Sequence, residues 1–279
     1  MPIIDKYFLF CNTLETPAII AKKGQAMKTK IAIMSLALVS MGFCLDEYMP
    51  IAPKTLELDG GYAPSFGTGG WAGSTSYSAT GSPMTNNIPL QVKYAIMAGL
   101  DAELGWTFSS ANNDAGGASG FMQPDLAVKY AIPNSNYGVF LDVALPFATG
   151  DYNVSGIPTG ISIGGVTGQT FGKIQAVGKA SYQYNLKAGG VKSQDVLDVY
   201  LKPGYSVSDA LGAYLGLDYN MKTDGDATTS PYVFSILPGV TYTQSKMLAY
   251  EVNVPFNVLG QDATSSWGVW ASVYVTLGM

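Results

Sequence analysis

Residues Ile88-Pro-Leu-Gln-Val-Lys-Tyr-Ala-Ile96 and, after Met97-Ala-Gly99, residues Leu100-Asp-Ala-Glu-Leu-Gly-Trp-Thr-Phe108 carry the pattern on which the fold turns. On an extended chain Ile88, Leu90, Val92, Tyr94 and Ile96 share one face while Gln91 and Lys93 share the other. In the second segment Leu100, Ala102, Leu104, Trp106 and Phe108 oppose Asp101, Glu103 and Thr107. A period of two held for about ten residues, then a short turn, predicts antiparallel strands long enough to cross a bilayer at a tilt.

The same alternation recurs along the chain. Working back from the carboxyl terminus, strands are expected near 265–279, 247–259, 231–244, 209–222, 195–207, 171–186, 154–164, 136–147, 120–132, 99–109 and 87–96. An even count needs one more. Thr55 to Tyr62 supplies it, with Leu56, Leu58 and Tyr62 on one side, and leaves 66–86 as a long outer loop; the stretch from Trp71 to Ser78 is the other candidate. The segment 154–164 is the weakest because Pro158 and its glycines undermine a ladder, and without it the count falls to ten. Pro89, Pro124, Pro146, Pro203, Pro238 and Pro255 also sit inside expected strands, each removing a ladder donor.

Charge separates the faces. Lys93, Asp101, Glu103, Asp125, Lys129, Asp142, Lys173, Lys179, Asp198, Lys202, Asp218, Lys222 and Glu251 all fall on the polar parity. A water-soluble sandwich with its apolar face inward would show the same alternation. Strand length, aromatic residues near strand ends and connections alternating between short and long favour an inside-out barrel instead. Short connections are expected near 97–99, 133–136, 206–209 and 244–247, and longer ones at 110–119, 148–153, 187–194 and 223–230. Trp267, Val269, Ala271, Val273, Val275, Leu277 and Met279 alternate up to the carboxyl terminus. That ending resembles the insertion signal of outer-membrane barrels, which implies the barrel-assembly machinery as a partner, along with outer-membrane lipid. The expected fold is an all-β, antiparallel transmembrane barrel of 12 strands over residues 55–279, in the bacterial outer membrane.

The 15 basic residues are all Lys, the net charge is −5 and His is absent. A nucleic-acid partner is excluded for want of a basic stripe. Met27-Lys-Thr-Lys30 followed by the apolar run Ile31 to Phe43 reads as an export signal, too short for a spanning helix of about 20 residues. Residues 27–44 are therefore expected to be a signal peptide, 1–26 a gene-model extension before the true initiator Met27, and 45–54 a periplasmic segment. Cleavage fits after Gly42 or Cys44, and Phe43 makes a poor lipoprotein box. Both cysteines, Cys11 and Cys44, lie at or before that point, so a cut after Cys44 leaves no disulfide.

Leu90-Gln-Val-Lys-Tyr-Ala-Ile-Met-Ala-Gly-Leu-Asp-Ala-Glu-Leu104, Pro124-Asp-Leu-Ala-Val-Lys-Tyr130 and Phe140-Leu-Asp-Val-Ala-Leu-Pro-Phe-Ala-Thr-Gly-Asp151 resemble the outer-membrane proteins of the phenol meta-degradation pathway type. The likeness covers about half the chain and its motifs are structural punctuation. It implies an outer-membrane barrel that takes up aromatic or other small organic molecules.

No enzyme is expected, because barrel hydrolases and acyltransferases rely on a His that this chain lacks. Asp101 and Glu103 share a strand face and could mimic an acid/base pair, but a charge-paired structural role fits a polar lumen better. Asp224-Gly-Asp226 and Asp262 lack calcium-loop spacing and read as turns, so no metal and no cofactor is expected. The inward parity also holds Phe140, Tyr200, Tyr214, Trp270 and Tyr274. With Lys93, Asp101, Glu103, Asp125, Lys129, Asp142, Lys173, Lys179, Asp198, Lys202, Asp218 and Glu251 they form the expected lining of a substrate path, or alternatively pair and stack to fill the interior. Three functions follow: a passive, porin-like channel for small organic solutes including aromatic ones, a non-conducting scaffold or surface-loop binder, and a soluble secreted sandwich.

Overall fold

The computed structural model describes residues 50–78, 84–113, 116–153, 159–186, 194–223 and 230–278. The expected extension, the signal peptide and both cysteines lie outside the described residues, as do Asp224, Asp226 and Met279.

Among the described residues, twelve antiparallel strands form one closed sheet. β1 is Thr55–Ala72, β2 comprises the two segments Thr75–Ser78 and Met84–Met97, β3 is Leu100–Asn113, and β4 joins Gly116–Phe121 to Asp125–Ala131. β5 is Tyr137–Ala144, β6 Gly160–Phe171, β7 Ile174–Asn185, β8 Asp195–Ser206, β9 Leu211–Thr223 and β10 Tyr232–Ser245. β11 joins Leu248–Asn253 to Phe256–Gln261, and β12 joins Ala263–Gly268 to Trp270–Gly278. Each strand pairs with its neighbour in chain order, and β12 returns to β1 with Thr55 opposite Gly278 and Tyr62 opposite Ala271. Closure leaves no edge, which is the condition for strand backbone to sit in hydrocarbon.

Register turns the sequence alternation into two surfaces. Leu58, Val92, Leu104, Leu126, Val143 and Ile161 stand directly opposite one another across β1 to β6 and form one row of an outward apolar belt. One position away, Glu57, Lys93, Glu103, Ala127, Asp142 and Ser162 form the matching inward row. Val92 is 42% exposed and Lys93 3%, the reverse of a water-soluble protein. Leu104 and Val252 are exposed and Val143 is half-buried, so they do not share a core. The sandwich reading is overturned.

Several boundaries move. The expected loop 66–86 is largely strand: β1 continues to Ala72, turns at Gly73 with φ 58°, and Thr75–Ser78 pairs back onto Gly69 to Ala72. The expected loop 110–119 is likewise a ladder, with Ser110 opposite Ser119 and Asn112 opposite Gly117. Both hairpins are built from Gly, Ser, Thr and Asn, which satisfy backbone pairing without the apolar stripe that marks a strand facing lipid. Of the strand expected at 154–164, residues 154–158 lie outside the described residues; the strand described there is Gly160–Phe171, and the next begins at Ile174 rather than 171, because the turn is Gly172-Lys173 with Gly172 at φ 63°. Gly164, Gly165 and Gly168 hide that strand's alternation.

The prolines interrupt ladders without opening the barrel. Pro124 separates the two parts of β4 and Pro255 those of β11, while Pro146 lies beyond the end of β5. On the β1 side of β2 the direct pairing pauses between Leu90 and Asn87, where Pro89 has no N–H to give. Turns at 98–99, 132–136, 172–173, 207–210 and 246–247 share one end of the barrel with both of its termini, here called the turn end. The opposite, loop end includes a tight turn at Asp262.

Candidate functional site: the barrel lumen

The inward parity places Lys93, Asp101, Glu103, Lys129, Asp142, Lys179, Asp198, Lys202, Asp218 and Glu251 inside the barrel, each buried. Asp125 is inward and half-buried at the start of its segment of β4, and its carboxylate faces Gly105. Lys173 is the exception: it sits in the Gly172-Lys173 turn, exposed at the rim, with its ammonium 5.9 Å from the centre of the Tyr205 ring. Alternation continues through a tight turn on paper, whereas the backbone has already left the strand.

Along β1 to β4 the lysines pair with near neighbours. Lys93 Nζ lies 2.9 Å from Glu57 Oε1 and 3.5 Å from Asp59 Oδ2. Lys129 Nζ lies 2.8 Å from Glu103 Oε1, and Gln91 donates to Glu103 Oε2 at 3.2 Å. Asp101 Oδ2 accepts the Ile51 N–H at 3.1 Å, so the segment before β1 bends into the turn end of the lumen. Glu57 and Asp59 are missing from the expected lining, although their parity opposite Leu56 and Leu58 marks them.

Between β7 and β12 one contact has a different reach. Lys179 Nζ meets Asp198 Oδ2 on the next strand at 3.1 Å, but Lys202 on β8 reaches Glu251 on β11 at 3.0 Å, over two intervening strands. Glu251 also accepts from Tyr214 on β9 and, at 3.2 Å, from Tyr274 on β12. The Lys202 ammonium sits 4.1 Å from the centre of the Tyr214 ring. One carboxylate therefore gathers side chains from three other strands into a strut across the lumen. Trp270 is buried nearby on β12 and its indole N–H donates to Ser272.

Three inward rings lie against glycines on the next strand. Phe140 packs on Gly164, Tyr200 on Gly216 and Tyr214 on Gly239; a Cβ at any of these glycines would run into the ring. Phe140 is directly opposite Gly164, and Tyr214 is flanked by Gly204 on one side and Gly239 on the other. The rings thus lie along the wall rather than across the axis.

At the loop end, Tyr152 in the Gly150–Tyr152 3₁₀ turn enters the lumen and donates to Ser109 Oγ at 2.9 Å. Burial raises its phenol above the ordinary value. The Thr149 N–H donates to the Phe121 carbonyl at 2.9 Å, and Asp151 accepts the Ser119 N–H, which pins this loop to β4. No periodic signal marks a loop residue that folds inward. Asp262 takes a turn role: its Oδ1 accepts the Gly73 N–H at 2.6 Å and its φ is 48°.

A family model described as "Putative MetA-pathway of phenol degradation" matches residues 57–273, nearly the whole barrel. The chain belongs to that family. No curated protein sequence matches it. Among solved structures, the COG4313 outer membrane channel from Pseudomonas putida F1 is similar with a TM-score of 0.71 at 11% identity, over 84% of this chain and 100% of that one. The beta domain of the Bordetella autotransporter BrkA gives a TM-score of 0.53 at 11% identity, over 78% of this chain and 99% of that one. The translocator domain of the autotransporter NalP from Neisseria meningitidis gives 0.51 at 11% identity, over 94% and 99%. At such identity these likenesses establish the fold, and the family member described here is a closed β-barrel with an apolar outer face.

Proposed function

We propose that the protein is an outer-membrane channel for passive diffusion of small organic solutes, aromatic ones among them. The observation that carries this reading is the lumen itself: Lys93, Lys129 and Lys179 are each neutralised by a carboxylate on an adjacent strand and three inward rings lie flat on glycines, which keeps their bulk off the axis. A structural plug has no need for ring-against-glycine register, since projecting side chains fill a narrow barrel well. The likeness to a protein described as an outer membrane channel, and membership of a family named for phenol degradation, support the same reading.

Mature protein in planar bilayers should conduct ions. Replacing the wall pair together, Lys129→Met with Glu103→Gln, should alter ion selectivity while the barrel keeps its heat-modifiable migration. A folded barrel that leaves the bilayer sealed would reject the channel and leave the scaffold reading.

A further inference from the structure

Resting on the channel reading, we infer that a cavity at the turn end of the lumen, between β7 and β10, is a solute-binding site for one uncharged single-ring molecule carrying a hydrogen-bonding substituent. The cavity measures about 180 Å³. A protein cavity of about 150 Å³ accommodates benzene, so one ring with a small substituent fills the space and a second fused ring projects beyond it.

Register creates the space. Ser206, Gly212 and Thr241 stand opposite one another across β8, β9 and β10, beside the row Gln175, Gly204, Tyr214 and Gly239. Gly204 and Gly212 face the cavity without side chains, and Gly239 lets the Tyr214 ring lie back on β10. Tyr214 flanked by two glycines at direct cross-strand positions forms a recess in the wall, which ordinary lumen filling does not require.

The lining sets the ligand's chemistry. Gln175, Ser206, Thr241 and Thr243 offer neutral hydrogen-bonding groups, and Val177 with the Tyr214 ring offers apolar contact. The Lys202 ammonium at the inner limit of the cavity is offset by Glu251 at 3.0 Å, and Asp209 stands at the mouth. An anion meets Asp209 and finds no uncompensated cation, so its desolvation is not repaid. A neutral ring with a hydroxyl edge loses little on desolvation and finds both kinds of partner.

Ligand-observed saturation-transfer NMR on the folded mature protein in micelles tests this with resorcinol, 2,7-dihydroxynaphthalene and 3-hydroxybenzoate. Resorcinol should bind with saturable signal, and the two-ring and anionic probes at least about tenfold more weakly. Gly204→Leu should fill the recess and weaken resorcinol by about tenfold or more, because a Cβ there meets Ala213 O and Tyr214 Cβ at 3.4 Å each and Gln175 O at 3.9 Å, none of them a clash. Ser206→Leu fills the same space from the neighbouring row and serves if the first variant does not fold. Resorcinol binding unchanged by a folded filling variant, equal binding of the two-ring probe, or no binding would overturn the site. Planar-bilayer current separates the two claims: binding without current rejects the channel and keeps the site, and current without binding does the reverse.

Discussion

Along β1 to β4 the inward ammonium groups of Lys93 and Lys129 meet carboxylates on adjacent strands, whereas from β8 to β12 Lys202 passes two strands to reach Glu251. In the first region Glu57, Lys93 and Glu103 stand in one straight row, negative, positive, negative, so each ammonium is satisfied close to the wall. In the second, Lys202 is directly opposite Val177, and Gly204, Gly212 and Gly239 clear the wall near it. The acid it meets lies three strands away, so the contact cuts a chord through the lumen. The same two residue types therefore line a passage in one place and bridge it in another, and cross-strand register decides which.

The largest effect should come from breaking the bridge on one side. Glu251→Ala leaves Lys202 buried with its partner gone and should destabilise the barrel by about 3–5 kcal/mol, read from urea unfolding in lipid vesicles. Removing both ends, Lys202→Met with Glu251→Leu, should recover most of that stability and raise single-channel conductance. The paired substitution at Lys129 and Glu103 should change conductance less. Equal conductance changes at the two places would erase the distinction between wall pairs and strut.

Next in size is the outward row beside the first region. Val92→Lys puts a charge on the lipid face and should cost about 2–4 kcal/mol. Gln91→Lys faces the lumen near Glu103 and should cost well under half as much in the same unfolding assay. Comparable costs would contradict the assignment of faces.

Gly239→Ala should cost about 1–3 kcal/mol, because the new methyl group displaces the Tyr214 ring from β10. The displaced ring should also lower conductance, and adding Tyr214→Ala should restore it. The smallest effect belongs to the rim: Lys173→Ala loses a long contact with the exposed Tyr205 ring and should shift stability by only about 0.5 kcal/mol, with conductance unaltered.

Which side of each strand faces lipid was legible because hydrocarbon imposes it residue by residue; Leu104 and Glu103 announce their faces without reference to any partner. Strand ends were less legible for the same reason. Where the β1–β2 and β3–β4 hairpins run on through Gly, Ser and Asn, nothing demands an apolar outer face, so residues 66–78 and 110–119 read as loop although the backbones of 69–72 and 75–78, and of 110–113 and 116–119, pair. Within the site, parity was enough to find Lys93, Asp142 or Tyr200, and was there to find Glu57 and Asp59. It misplaced Lys173 because alternation carries no information about where a turn begins. Tyr152 reaching Ser109 and Lys202 reaching Glu251 depend on how the sheet closes, a long-range property that local periodicity does not encode.

The pairing of Thr55 with Gly278 has a bearing on how the molecule is made. The first strand's flank stays bare until β12 has left the ribosome, so no nascent chain that lacks β12 can shut the cylinder. A polypeptide in that condition offers two sticky margins to any passing β-segment, and it has to be shielded through the whole of its journey before it can zip itself closed.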